Sequence, residues 1–239
     1  MKAAVRHHYG SPDQIRIENM PKPVPKPHEL LIRVYATTVN RTDCGVLSGA
    51  PYIFRFFVGW PRPGTAILGT DFAGIIEEVG SQVTKFKVGD RVWGFDDNGL
   101  PSQAEYLAYR EDKNILTIPE KLSFWEAAAC AEGAHYAVNF LKYVKLGPES
   151  NVLVNGATGG IGSALVQLLK YQGVKVTATA NTKNMDLIRS LGIDKVIDYE
   201  KEDFTRLVEK FDVIFDAVGK GTFKKCKPIM KENGFYLSS

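Results

Sequence analysis

The chain has 239 residues, enough for one large domain or two small ones. Its hydrophobic content of 44% is typical of a globular protein, and its net charge of +3 with scattered lysines and arginines does not favour nucleic acid as a partner. The three cysteines lie far apart, and no apolar run is long enough for a signal peptide or a membrane span. We therefore expect a cytoplasmic protein with reduced thiols and no membrane partner.

The first half of the chain is predicted to be rich in β-strands. Turn residues separate short apolar or alternating runs, which are KAAVR, QIRIEN, ELLIRVYATTVN, FAGIIEEV, DRVWGF and AEYLAY. The proline-rich segment 21–27 cannot form a continuous ladder of hydrogen bonds, so it is predicted to be an extended surface connection.

Helical patterning begins after Pro119. Ser123 is the expected N-cap of an alanine-rich helix, and Glu126 stands at the spacing of a capping box. Beyond Gly147 the predicted strands are NVLVNGA, VKVTATA, KVIDY, FDVIFDAVG and GFYLSS, with helices ending near Tyr171 and lying at NMDLIRSLG, EDFTRLVEK and FKKCKPIMK. This alternation predicts a doubly wound parallel sheet, and hence an α/β protein with a β-rich domain.

The strongest local signal is the stretch NVLVNGATGGIGSALVQLLK (151–170), which runs from a predicted strand into a predicted helix. Small residues permit a tight turn close to a pyrophosphate, and the start of a helix offers N–H groups without acceptors. The alternative is a turn that needs glycine for steric reasons alone. Because strand, turn, helix and second strand occur in order, we predict dinucleotide binding. The binding residues would be Gly156, Ala157, Thr158, Gly159, Gly160, Ile161 and Gly162.

The strand that follows the glycine turn and its helix, VKVTATA, ends without an acidic residue. Sites that prefer NAD place a carboxylate about 20 residues after the glycine turn, on the ribose 2′-hydroxyl. This sequence instead has Ala180, Asn181, Thr182 and Lys183. Thr182 and Lys183 suit a 2′-phosphate, although a solvated position at the start of a helix is the commoner one for a lysine. We therefore predict NADPH as the cofactor.

The ordered motifs of the chain resemble the medium-chain dehydrogenase/reductase superfamily, and within it the zinc-independent quinone oxidoreductase branch. The motifs are VNRTDCGVLSG, LGTDFAGIIEEVGSQVTKFKVGDRVWGF, AEYL, NGATGGIGSALVQLLK, LGIDKVIDY and FDVIFDAVG. The resemblance implies a chaperonin-10-like (GroES-like) domain over 1–121 and a Rossmann domain with its leading helices over 122–239. It also implies that the family's chain continues past Ser239, so we expect a C-terminally truncated chain whose full-length parent is a homodimer.

The resemblance also bears on metal binding. Zinc-dependent members usually have a cysteine where Asn40 stands, a His-Glu pair where Thr70 and Asp71 stand, and a third ligand near Ala131. A structural zinc site would need four cysteines clustered near 90–110, and the sequence has none there. Since catalytic zinc requires three nitrogen, sulfur or oxygen ligands held together, we expect no metal.

Three residues are the candidates for catalysis. By resemblance, Asn40 and Asp43 line the substrate pocket, and the hydroxyl of Tyr52 donates to a carbonyl oxygen or relays a proton. Asn and Asp also cap nearby backbone; this alternative stays open for Asp43, whereas we favour the pocket for Asn40. Cys44, in the same stretch, is expected to be a packing residue.

Further residues are assigned to the cofactor. His135 stands where relatives often have a threonine near the nicotinamide, although an isolated helical histidine is more often structural. The resemblance places Tyr199 near the adenosine 2′-phosphate. Ala217, Val218 and Gly219 end the fourth strand, at the edge where open α/β sheets bind ligands.

The aromatic run PYIFRFFVGWPRPG (51–64) departs from the family pattern. Its aromatic residues are Tyr52, Phe54, Phe56, Phe57 and Trp60. We favour a place in the core or in a subunit interface. The alternative is a hydrophobic lid over a flat, conjugated substrate.

Together these features predict a zinc-independent reductase that transfers hydride from NADPH to a small-molecule quinone or α,β-unsaturated carbonyl. One alternative is a trans-2-enoyl-thioester reductase, whose substrate phosphates would need basic residues such as Arg55 and Arg62. The other is a non-catalytic relative that senses NADPH or binds RNA.

Overall fold

The computed structural model describes residues 1–64, 66–96, 99–219 and 221–238. The side chains of Phe54, Phe57 and Val58 fall outside this description, and so do the predictions made for Phe54 and Phe57. The chain divides into two compact units, Met1–Ala131 and Glu132–Ser239. The division falls inside a long helix, and the expected domain boundary after residue 121 stays a prediction.

The first unit consists mainly of antiparallel strands, as predicted. Its elements are β1 (Lys2–Val5), β2 (Arg16–Asn19), β3 (Glu29–Ala36), α1 (Arg41–Ser48), α2 (Arg55–Val58), β4 (Asp71–Val79), β5 (Arg91–Phe95), β6 (Tyr106–Arg110) and β7 (Ile115–Thr117). β1 pairs with β2, and the other strands form an antiparallel sheet in the order β6-β3-β4-β5-β7. Alternate residues such as Leu30, Ile32 and Phe72 are fully buried and form its core.

The second unit alternates strands and helices. The long helix α3 (Phe124–Leu141) enters it, followed by β8 (Asn151–Asn155), α4 (Gly160–Tyr171), β9 (Lys175–Ala180), α5 (Met185–Ser190), β10 (Lys195–Asp198), β11 (Phe211–Asp216), α6 (Phe223–Cys226) and β12 (Met230–Ser238). The strands are all parallel, in the order β10-β9-β8-β11-β12. Val152, Leu153 and Val154 are fully buried, because helices cover both faces of the sheet.

Two of the predicted helices are wrong in length. EDFTRLVEK contains only the 3-10 turn Phe204–Arg206, which the Asp203 side chain caps by accepting from the N–H of Thr205. FKKCKPIMK forms the four-residue α6 and a second 3-10 turn at Lys227–Ile229, since Pro228 cannot donate a helical hydrogen bond. No helix in the described part of the chain is long and apolar enough to cross a membrane.

The predicted capping box at the start of α3 is confirmed. The N–H of Ser123 donates to the Glu126 carboxylate at 2.8 Å, and the N–H of Glu126 donates to the Ser123 hydroxyl at 3.2 Å. This exchange satisfies two of the N–H groups that a helix start leaves without acceptors.

Candidate functional site

β8 ends in a tight turn that leads into α4. Gly156 has a φ of 86°, and a Cβ at this position would lie 2.1 Å from Cγ2 of Val218. A Cβ at Gly162 would lie 2.1 Å from the carbonyl oxygen of Gly156. Glycine is therefore required at both positions for steric reasons.

α4 begins with backbone donors that no side chain caps. Gly159 is the N-cap residue and has no side chain to accept from the first turn. Thr158, Gly159 and Gly160 are exposed, whereas Ala157 and Gly162 are buried. The first N–H groups of a helix lack intrahelical acceptors and carry a partial positive charge, so this turn suits an anionic diphosphate.

A buried polar network lies next to the turn, at the ends of β8, β9 and β11. Asn155 donates Nδ2 to Oδ1 of Asp216 at 2.9 Å, and its Oδ1 accepts from the hydroxyl of Thr179 at 2.7 Å. The Thr179 hydroxyl in turn accepts from the N–H of Gly156 at 2.9 Å. The network joins the three strand ends to the turn. The sequence analysis did not predict it; the available signal was a polar residue at or next to the carboxyl end of each of the three strands.

Asp216 also holds the segment that follows β11. Its Oδ1 accepts from the N–H groups of Val218 and Gly219, each at 3.2 Å. Its Oδ2 accepts from the N–H of Gly221 at 2.6 Å and from the hydroxyl of Tyr236 at 2.9 Å. Burial of the phenol, reinforced by its bond to Asp216, raises the pKa of Tyr236 to about 12.

The structure thus brings the predicted residues after β11 together with the glycine turn. The N–H of Ala217 donates to the carbonyl oxygen of Asn155 at 3.0 Å, and Val218 fills the space beside Gly156. This edge is the carboxyl end of the parallel strands, where ligands bind in open α/β sheets. The role of these residues in binding stays a prediction.

The residues predicted to hold a 2′-phosphate lie close to two acidic side chains. The hydroxyl of Thr182 donates to Oδ2 of Asp198 at 2.5 Å, and the N–H of Thr182 donates to the Glu200 carboxylate at 3.1 Å. The hydrogen bond from Thr182 is the main cause of the lowered pKa of Asp198. Tyr199, between the two acids, is half exposed, and Lys183 is exposed. Asp198, at the end of β10, thus lies beside the end of β9, where β9 itself has no acid, and the sequence analysis did not predict this neighbour.

His135 lies on α3, in the part of this helix that belongs to the second unit. Its Nε2 lies 2.9 Å from Nδ2 of Asn139, and its ring meets Tyr136 edge-on at 5.5 Å between centroids. The same helix packs closely on the start of α4, because a Cβ at Gly133 would lie 2.5 Å from the carbonyl oxygen of Gly160. A contact of His135 with the cofactor stays a prediction.

In the first unit, Asn40 is the N-cap of α1. Its Oδ1 accepts from the N–H of Asp43 at 2.9 Å, and its own N–H donates to the Asp43 carboxylate at 3.0 Å. Its Nδ2 donates to the hydroxyl of Thr70 at 2.7 Å. Both ends of the Asn40 amide are therefore bonded within the protein. The structure shows the capping alternative, and the pocket role of Asn40 and Asp43 stays a prediction.

Asn40, Thr70 and Asp71, where the resemblance places zinc ligands, do lie together. Asp71 is fully buried and accepts from the N–H of Thr38 at 2.7 Å and from the hydroxyls of Thr37 and Thr38. An amide, a hydroxyl and one heavily hydrogen-bonded carboxylate do not match the ligands that zinc prefers. Among the residues that the structure describes, no three His, Cys, Asp or Glu side chains gather as a metal site requires. Zinc independence stays a prediction.

Tyr52, Phe56 and Trp60 are exposed, so core packing is wrong for these three residues, and their place in a subunit interface stays a prediction. The exposed fractions are 72% for Tyr52, 72% for Phe56 and 60% for Trp60. Phe56 and Trp60 stack on each other at 5.6 Å between ring centroids, and the Arg55 guanidinium lies 4.6 Å from the Tyr52 ring. Cys44, expected to pack, is also exposed, because it faces outward from α1.

Sequence comparison matches two families and several relatives. The Alcohol dehydrogenase GroES-like domain matches residues 26–136, and the Zinc-binding dehydrogenase family matches residues 160–237. The chain is 37% identical to the 2-methylene-furan-3-one reductase of Solanum lycopersicum and 35% identical to the chloroplastic NADPH-dependent alkenal/one oxidoreductase of Arabidopsis thaliana. Each match covers 98% of this chain but 61% of the relative, so the chain spans less than two thirds of their length.

Two further matches cover more of the compared protein. The chloroplastic quinone-oxidoreductase homolog of Spinacia oleracea is 32% identical, over 94% of this chain and 70% of the relative. The solved quinone oxidoreductase of Coxiella burnetii superposes with a TM-score of 0.89 at 29% identity, over 100% of this chain and 75% of that one.

These matches define a dehydrogenase/reductase with a GroES-like domain and a Rossmann sheet, and the chain belongs to the medium-chain dehydrogenase/reductase superfamily. Within the superfamily it belongs to the quinone oxidoreductase-like branch. The resemblance and the fold class that the sequence predicts are thereby confirmed. The expectation of a cytoplasmic location is wrong, because four of the relatives are named as chloroplast proteins.

Proposed function

We propose that the chain belongs to an NADPH-dependent reductase that transfers hydride to a quinone or an α,β-unsaturated carbonyl without a metal. The observation that carries the proposal is the exposed start of α4 at 158–160, where no side chain caps the first N–H groups and a Cβ at Gly160 would meet nothing within 4 Å. An open helix start of this kind, at the carboxyl ends of parallel strands, fits a dinucleotide diphosphate. The names of the relatives, which are quinone and alkenal/one oxidoreductases, support the choice of acceptor.

When bound, NADPH supplies the hydride. The N–H groups at the start of α4 would hold its diphosphate, and Thr182, Lys183 and Tyr199 would hold its 2′-phosphate. The segment 217–219, which Asp216 fixes through backbone N–H groups, would border the ribose and nicotinamide. Asp216 thus keeps this border in place without needing to touch the nucleotide.

Of the three candidate catalytic residues, Tyr52 is the one whose side chain is open to a substrate. It is 72% exposed, whereas Asp43 is buried and the Asn40 amide is bonded to Asp43 and Thr70. We therefore propose that the Tyr52 hydroxyl donates to the carbonyl oxygen of the acceptor. Asn40 and Asp43 would fix the start of α1 as part of the pocket wall.

Turnover with three acceptors tests the proposed activity. NADPH oxidation, followed by its absorbance, is measured with a quinone, an enone and an enoyl-CoA. We expect oxidation with the quinone or the enone, and a loss of kcat/KM of about tenfold or more in Tyr52→Phe, typical for a group that transfers a proton. Oxidation by the enoyl-CoA alone would favour the thioester alternative, and tight NADPH binding without oxidation would favour a non-catalytic relative.

The contacts of Arg55 make the thioester alternative the weaker of the two. Its guanidinium lies 4.5 Å from the ring of Tyr9 and 4.6 Å from that of Tyr52, and its Nε donates to the carbonyl oxygen of Gly49 at 3.1 Å. These contacts hold Arg55 against its own segment. A coenzyme A phosphate would have to compete with them or rely on Arg62.

We propose a homodimer for the full-length protein and, from the names of the relatives, a location in the chloroplast. Analytical ultracentrifugation of the full-length protein measures the oligomeric state, and imaging of a fluorescent fusion shows the location in the cell. A monomer at micromolar concentration, or a fusion that stays outside the chloroplast, would contradict them.

A further inference from the structure

Two carboxylates occupy the hydrogen-bond donors of Thr182, which we assign to the 2′ end of the nucleotide. Asp198, at the end of β10, accepts from the hydroxyl at 2.5 Å, and Glu200 accepts from the N–H at 3.1 Å. We propose that Asp198 and Glu200 are specificity-determining residues that limit the preference for NADPH over NADH. The inference rests on the proposed function, because it concerns the nucleotide that the site binds.

The chemistry of the two possible ligands differs at this point. A threonine hydroxyl can donate one hydrogen bond, and that of Thr182 donates to Asp198. Only the lone pairs of its oxygen therefore remain for a ligand. A phosphate accepts hydrogen bonds and cannot use those lone pairs, whereas a ribose 2′-hydroxyl can donate to them. The N–H of Thr182 is likewise held by Glu200. A 2′-phosphate must therefore displace a carboxylate of its own charge before it can bind Thr182.

The lysines in this region offset the acids only in part. Lys201 pairs with Asp198 at 3.3 Å, and Lys183 is exposed on the turn after β9. Two lysines beside two carboxylates leave little net positive charge for a phosphate dianion. The bond from Thr182 is the main cause of the lowered pKa of Asp198, so it stabilises the charged form of that carboxylate. The observed arrangement therefore discriminates against a ribose 2′-hydroxyl less than Thr182 and Lys183 alone would suggest.

Glu200→Gln tests the proposal with little risk to folding, because Glu200 is exposed. The variant keeps the shape of the side chain and an oxygen acceptor but removes the charge. Isothermal titration calorimetry at low salt measures the binding of NADPH, NADH, 2′,5′-ADP and 5′-AMP. We expect NADPH and 2′,5′-ADP to bind about threefold more tightly, the scale of one exposed charge interaction, and NADH and 5′-AMP to be unchanged.

Glu202→Gln is the matched control. Glu202 is exposed on the same segment, and it meets Asp198 through its backbone N–H, which donates to the carbonyl oxygen of Asp198. We expect the control to change none of the four affinities by as much as Glu200→Gln changes that of NADPH. A second variant, Asp198→Asn, should also tighten 2′-phosphate binding, because it removes the charge that holds the Thr182 proton.

The outcomes separate the two proposals. A wild-type chain that binds none of the four nucleotides would refute the proposed function, and this inference with it. If the wild-type chain binds NADPH but neither Glu200→Gln nor Asp198→Asn changes the ratio of NADPH to NADH affinity, the inference alone is refuted. An equal gain in Glu202→Gln would also refute it, since the effect would then be one of general charge.

Discussion

Replacement of Gly162 by alanine tests the geometry of the turn that we assign to the nucleotide. The new Cβ would lie 2.1 Å from the carbonyl oxygen of Gly156 and 2.9 Å from Cα of Ala157. Both are backbone atoms of buried residues, so no side-chain rotation can relieve the collision. Overpacking of this kind costs about 1–3 kcal/mol, and a contact this short places the expected cost near the upper value.

Gly160→Ala is the control that isolates this steric cost. Gly160 begins the same helix, but a Cβ there would meet nothing within 4 Å. Alanine is favoured over glycine inside a helix by about 1 kcal/mol, a gain that both variants share. We therefore expect the free energy of unfolding of Gly162→Ala to be lower than that of Gly160→Ala by about 1–3 kcal/mol.

Urea denaturation followed by circular dichroism measures this difference. The turn must open to admit the new methyl group, so the affinity of Gly162→Ala for NADPH should also fall, by about tenfold for each 1.4 kcal/mol of binding free energy lost. Equal free energies of unfolding for the two variants would refute the reasoning, because they would show that the turn has room for a side chain.

Two other substitutions test contacts in the two units. Tyr236→Phe removes the hydroxyl that donates to Asp216 at 2.9 Å and should lower the free energy of unfolding by about 1.5 kcal/mol, measured in urea at neutral pH. Because the pKa of Tyr236 is raised from 10.0 to about 12, the stability that this group confers is complete below pH 10 and is lost as the pH rises to about 12; the variant should lack this loss. Asn40→Ala removes the acceptor that caps α1 and should cost about 0.5–2 kcal/mol by the same method, whereas Asn40→Ser should retain most of the stability; equal losses in both would contradict a capping role.

Features set by neighbouring residues in the chain could be predicted from the sequence. The glycine turn, the separate strand segments that follow it and the Ser123–Glu126 cap each depend on a pattern within a few residues, and the alternation of strand and helix segments then predicts a parallel sheet. The burial of Tyr52, Phe56 and Trp60 was predicted wrongly, because the hydrophobicity of a segment does not show whether other parts of the protein pack on it. Trp60 is 60% exposed although it lies in a run rich in aromatic residues.

Features set by strand pairing could not be predicted from the sequence. Asp198 reaches Thr182 because β10 pairs with β9 in a register that places Asp198 opposite Ala180. A search for an acid along β9 alone therefore missed it. Asp71 meets Thr38 in the same way, across 33 residues of chain and a pair of antiparallel strands.

The short helix at 204–206 shows a third kind of difference. Phe204 and Leu207 are partly buried and pack against the core cluster that contains Phe211 and Ile214. A single 3-10 turn is enough to make this contact, so the chain has no need of the full helix that the sequence predicts here.

Titration of the wild-type chain with NADPH in a calorimeter shows whether the chain binds this nucleotide at all. We predict saturable binding at one site per chain, and a lower Kd for NADPH than for NADH, because the lysines near Thr182 favour the 2′-phosphate even against the two acids. Absence of saturable binding, or a lower Kd for NADH, would contradict the assignment of the glycine turn and its neighbouring strand ends to NADPH.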